Sequence, residues 1–153
     1  AIEASVLASA MAWVANISDL PAAKELPRVV QGRPARVAIV AGDSILPNMA
    51  AILAALDDHA GVAKFAPQYV DADRTIYLPV GWTGETPAEF SVLVREMVHH
   101  LQNAAGKAYA CPQERNALAF EVQDRWLGLF DRDLAQEFGI DPDVLEVSKQ
   151  CIP

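Results

Sequence analysis

Apolar residues return every three or four positions along the first stretch of the chain, at Ile2, Val6, Ala10, Trp13, Ile17 and Leu20, which lines one face of a helix over residues 1–20. Pro21 closes that stretch. Residues 21–34 hold three prolines among alternating charges and read as a connecting loop with at most a short turn. Residues 36–40 are apolar and β-branched and run into Ala41-Gly42-Asp43-Ser44, the pattern of a first strand. After Pro47, the positions of Met49, Ile52, Leu53 and Leu56 predict a short amphipathic helix ending near Asp57-Asp58-His59. Two extended runs, 63–70 and 74–80, flank Asp71-Ala72-Asp73 and predict an antiparallel hairpin, with Ile76 and Leu78 alternating against Tyr77 and Pro79. Pro79 cannot donate to a ladder, so the second run is expected at a sheet edge or to end there.

Gly81-Trp82-Thr83-Gly84 reads as the turn out of the hairpin, and Thr86-Pro87-Ala88-Glu89 has the form of a capping box. A central helix therefore starts at Pro87 and runs to about Ala105, where Gly106 supplies the stop. Phe90, Leu93, Val94, Met97, Val98 and Leu101 give it a broad apolar surface, suited to burial against a sheet. A second long helical stretch begins at Pro112 and reaches toward Phe138, with Gly128 or Asp131-Arg132-Asp133 as candidate breaks. Asp141-Pro142 restarts a short helix by N-cap and first-position proline. The pattern predicts one α+β domain over residues 1–153. Its small, mostly antiparallel sheet of about three strands, within residues 35–80, packs on the central helix of residues 87–105 and on helices within 112–150.

Composition narrows the function classes. At 153 residues and 52% hydrophobic, the chain can build one full core. A net charge of −8, with 12 dispersed Lys and Arg residues, argues against a nucleic-acid footprint. Residues 1–20 carry Glu3, Asn16 and Asp19 and lack a basic leading segment, so they read as neither a targeting signal nor a membrane span. Cys111 and Cys151 are either a bridge that ties the C-terminal tail to the domain, which would imply an oxidising and secreted or periplasmic setting, or two free thiols.

Candidate chemistry concentrates on the central helix. Arg95-Glu96-Met97-Val98-His99 has the layout of His-Glu-x-x-His, the zincin metallopeptidase motif, with its first histidine replaced by Arg95. On a helix Arg95 and His99 share a face, about 40° apart, and Glu96 lies beside them, about 100° from Arg95. His100 points elsewhere and reads as a satisfied or surface histidine. Elsewhere, Ser44 reads as a loop-capping serine and Asp71 and Asp73 as a polar hairpin turn rather than a calcium loop. Trp82 reads as core rather than cleft lining.

Taken together, Thr75-Ile76-Tyr77-Leu78-Pro79, Gly81-Trp82, Glu96-Met97-Val98-His99-His100-Leu101-Gln102 and Cys111-Pro112-Gln113-Glu114-Arg115-Asn116-Ala117 resemble a small bacterial zincin-like family, the gluzincin branch of metallopeptidases in minimal single-domain form. The resemblance covers roughly residues 60–130. It implies Glu96 as general base, His99 as a zinc ligand, Glu114 as carboxylate ligand with Glu121 as second choice, and an extended peptide aligned on the edge strand near 74–80. Arg95 breaks the transfer: a guanidinium has no lone pair and puts a cation where zinc would sit. Zinc is therefore expected to be absent or weakly held. Arg95 is expected to stand in for it by pairing with Glu114 or Glu96. Two other readings remain: an active zinc peptidase completed by His100, Glu121, His59 or a partner chain, and an interaction or structural domain whose histidines are incidental.

Overall fold

The computed structural model describes residues 2–32 and 67–152. The expected strand at 36–40, the helix after Pro47, Ser44 and His59 lie outside the described residues. Helix α1 spans Ala4–Ser18, strand β1 Arg28–Gln31, β2 Gln68–Val70 and β3 Thr75–Leu78. Helix α2 spans Pro87–Ala104, α3 Pro112–Gly128, α4 Leu134–Glu137 and α5 Pro142–Val147. The class is α+β: a small three-stranded mixed sheet with helices packed around α2.

The hairpin forms as its alternation predicts. β2 and β3 are antiparallel, with Tyr69 opposite Ile76, and Ile76 and Leu78 are fully buried while Tyr77 is half-buried. The sheet around the hairpin differs from expectation in two ways. Residues 28–31, expected as loop, form β1, which pairs in parallel with β3 from Arg28 opposite Thr75 to Gln31 opposite Leu78. The strand order is β1-β3-β2, so β3 is the central strand and the sheet is mixed rather than mostly antiparallel. Pro79 ends β3 instead of marking an edge: the ladder stops at Leu78, whose carbonyl accepts from Gly32 N at 2.8 Å. The strand near 74–80, expected as the edge along which a peptide aligns, is instead paired on both sides. Among the described residues the outer strands are β1 and β2.

Helix α2 is the centre of the core. Thr86 caps it, its hydroxyl accepting from Glu89 N at 3.1 Å, and Pro87 occupies the first turn. At the other end Gly106, at φ +66°, completes a Schellman closure in which Lys107 N donates to Gln102 O at 3.1 Å and Gly106 N to Asn103 O at 3.0 Å. Val92, Leu93, Val94, Met97, Val98 and Leu101 are all essentially inaccessible to solvent. That wide apolar surface is explained by what surrounds it: α1, α3, β2 and β3 all contact α2.

Helix α1 is shorter than residues 1–20 and rotated from the expected stripe. It buries Leu7, Ala10 and Val14, while Val6 is exposed and Trp13 and Ile17 pack at the margin. Trp126 of α3 locks the three long helices together, its ring 5.4 Å from Trp13, 4.9 Å from Phe90 and 5.5 Å from Phe130. Helix α3 stops at Gly128, and the predicted Asp141-Pro142 start is realised in α5, where Asp141 Oδ1 accepts from Asp143 N at 2.8 Å. Cys111 and Cys151 form a disulfide, Cα atoms 5.8 Å apart, which pins the C-terminal tail to the start of α3.

Candidate functional site

The Arg95–Glu96 pair is inside the protein. Arg95 is 1% exposed and Glu96 3%, and Arg95 Nε donates to Glu96 Oε2 at 2.8 Å. Of the two carboxylates expected to pair with Arg95, the structure selects Glu96. A buried ion pair of this kind is held together because removing either charge strands the other in low dielectric. The same bond engages the carboxylate that the motif would use as a base.

Helix α3 faces α2 across a polar seam. Ser91, Arg95 and Gln102 lie within about 40° of one another around the α2 axis. At one end of the seam Gln123 Nε2 donates to Ser91 Oγ at 3.1 Å. At the other, Gln102 Nε2 donates to Arg115 O at 3.0 Å. Arg115 also forks onto Asp71 at 2.9 and 2.6 Å, tying α3 to the hairpin turn. Asp71 therefore serves as an ion-pair anchor. Asp73, its neighbour in the turn, accepts from Tyr77 Oη at 3.1 Å.

His99 is oriented from this seam. Because Gln102 Nε2 donates to a carbonyl, its Oε1 is the acceptor that faces His99, and the 2.8 Å contact to His99 Nδ1 is an Nδ1–H donation. The lone pair of the neutral ring is then on Nε2, for which no partner is found among the described residues. Burial lowers the His99 pKa below the ordinary value, with Glu96 acting in the opposite direction. His99 thus presents an acceptor, as a metal ligand or a hydrogen-bond acceptor would require.

His100 is fully engaged, as its position off the motif face predicts. Its Nε2 lies 2.9 Å from Glu25 O, an acceptor only, so Nε2 carries the proton and Nδ1 accepts from Tyr69 Oη at 2.9 Å. Tyr69 Oη in turn accepts from Asn103 Nδ2 at 3.0 Å. Burial lowers the His100 pKa and raises that of Tyr69, keeping both neutral. With both nitrogens used, His100 is not a spare ligand.

The expected carboxylate ligands are not brought to this face. Glu114 is exposed, and its Oε2 accepts from Ala110 N at 2.6 Å, so it serves the N-terminus of α3, whose N-cap is Cys111. Glu121 is exposed as well. Among the described residues no group of three His, Cys, Asp or Glu side chains is placed to hold a metal ion. Among the described residues the donors at this face do not make up a zinc centre: His99 Nε2 is one ligand, Glu96 is held by a cation, and that cation has no lone pair. Sequence reasoning missed Gln102, Arg115, Ser91 and Gln123, which frame the site from the helix seam. Trp82 is core, 5% exposed, its Nε1 donating to Glu89 O at 2.8 Å.

No helix among the described residues is long and apolar enough to cross a membrane. No curated protein and no solved structure matches the chain. One family does, over residues 2–151, nearly the whole length and every element described above: the chain belongs to the family described as Domain of unknown function (DUF6647).

Proposed function

We propose that this domain is zincin-like with a degenerate metal motif, in which the Arg95 guanidinium has taken the place of the metal and peptidase chemistry is lost or impaired. The reading is carried by the buried Arg95–Glu96 ion pair, at 2.8 Å. In a metallopeptidase of this kind the glutamate must be free to take a proton from a metal-bound water. Here its carboxylate is drawn to a permanent cation. The neighbouring His99 keeps the tautomer suited to ligation, with Gln102 holding Nδ1–H, which is how a metal-binding imidazole is oriented from behind. A ligand-ready histidine, one turn from an arginine that cannot ligate, is the pattern left when one residue of a metal site is exchanged and its surroundings are kept. The domain's role on this reading is binding rather than hydrolysis. An extended peptide would add to β1 or β2 and not to β3, which is already paired on both sides. The Cys111–Cys151 disulfide supports an oxidising, secreted or periplasmic setting.

The test is restoration. Arg95→His places a second imidazole at the i, i+4 position from His99. It is expected to bind one zinc per chain under dialysis against micromolar zinc, whereas the parent chain and Arg95→His/His99→Ala do not. An Arg95→His chain that folds and takes up no zinc would remove the support for a metal-site ancestry.

A further inference from the structure

The Arg95 guanidinium is only partly used. Glu96 occupies its Nε, while Nη1 and Nη2 are buried and have no hydrogen-bond partner. Arg95 sits midway along the α2–α3 seam, between the Ser91–Gln123 and Gln102–Arg115 contacts. The fully buried α3 side chains between those anchors are Ala119, Phe120 and Val122, none of which can accept a hydrogen bond. Unmet donors on a buried cation are costly, and the end-on fork of a guanidinium matches the two parallel oxygens of a carboxylate. One helical turn away, on the same face, the half-buried His99 carries its lone pair on Nε2, which can accept from a donor. The two groups are complementary: the unpartnered Arg95 donors suit a bidentate acceptor, and His99 Nε2 suits an N–H or O–H.

We propose that Arg95 and His99 form a binding site for a carboxylate with a hydrogen-bond donor on the adjacent carbon, the chemistry shared by an α-hydroxy acid and the C-terminus of a peptide. The carboxylate takes the Nη1–Nη2 fork and the neighbouring O–H or N–H donates to His99 Nε2. A monoanion suits the place better than a phosphate dianion, because Glu96 already balances the arginine charge and each further negative charge is added to a buried site. The inference rests on the metal-free reading of this face.

The experiment titrates the folded chain with acetate, glycolate, N-acetylglycine and N-acetylglycinamide, following the Arg95 guanidinium ¹⁵N resonances and the heat of binding. Glycolate and N-acetylglycine are expected to bind one per chain and more tightly than acetate, and the amide not at all. Preference for N-acetylglycine assigns the site to peptide C-termini, and preference for glycolate to small hydroxy acids. Arg95→Lys keeps the charge and loses the fork, and should weaken binding by about tenfold or more. His99→Phe should erase the advantage of glycolate over acetate. The proposal is overturned if no carboxylate shifts the Arg95 signals saturably, or if Arg95→Lys binds as the parent does. A chain that holds one zinc overturns the metal-free reading itself, whereas a zinc-free chain that ignores carboxylates overturns only this site.

Discussion

At the scale of single residues, the Arg95–Glu96 pair makes a thermodynamic prediction. Arg95→Met leaves the Glu96 carboxylate buried without its cation and should lower stability by about 3–5 kcal/mol in urea unfolding. Adding Glu96→Leu should recover most of that loss, because the double variant exchanges an ion pair for packed apolar surface. Equal stability of Arg95→Met and the parent would mean that the pair is not formed. His100 makes a second prediction. Its pKa is lowered in the folded protein, so the unfolded chain binds its proton first on acidification. The groups around it are Tyr69, Asn103, Glu25 and Arg74. Its contribution to stability is whole above the unfolded value of about 6.5 and is lost as pH falls from there toward the folded value. His99 is lowered in the same direction. The double variant His99→Gln/His100→Gln should therefore show a flatter stability profile below pH about 6.5 than the parent, measured by urea midpoints across pH. A profile unchanged by both substitutions would contradict the neutral, buried assignment.

At the scale of elements, what could be read from the sequence was local chemistry. Thr86-Pro87 and Asp141-Pro142 mark helix starts that the structure realises, and alternation at Ile76 and Leu78 set the face of β3. Strand order was not legible, since pairing partners lie far apart in the chain. β1 rests on Val29 and Val30 between polar neighbours and just after Pro27, too short a signal to distinguish from a loop. The Glu114 assignment had a competing signal in plain view: Cys111-Pro112-Gln113-Glu114 repeats the spacing of Thr86-Pro87-Ala88-Glu89, and a glutamate three residues after a cap serves the helix N-terminus. Gln102 and Arg115 could not be found by motif because they act across the seam between two helices. The caps give their own prediction: Thr86→Ala should cost about 1 kcal/mol. Gly84→Ala should cost more than the cap, because its Cβ would come within 2.6 Å of the Trp82 ring at φ +72°. Thermal unfolding of the two variants side by side checks both the values and their order.

At the scale of the whole molecule, α2 is enclosed by the sheet, α1 and α3, and the disulfide secures the far end of the chain to the start of α3. With its cysteines at a sequence separation of 40, the bridge is worth about 4 kcal/mol in the chain-entropy account. Reduction, or Cys111→Ser/Cys151→Ser, should therefore lower the urea midpoint markedly while leaving the Arg95–Glu96 pair intact, because the pair sits within α2. The enclosure of α2 is also what makes Arg95 informative: a cation there is kept with a carboxylate beside it, and on the proposed reading that cation stands in for a metal. The most direct measurement is the metal content of the full chain, expressed with zinc in the medium and purified without chelators, determined by mass spectrometry against protein concentration. A chain with substoichiometric zinc that is lost on gel filtration is the expected result. One zinc held per chain through purification would contradict the account.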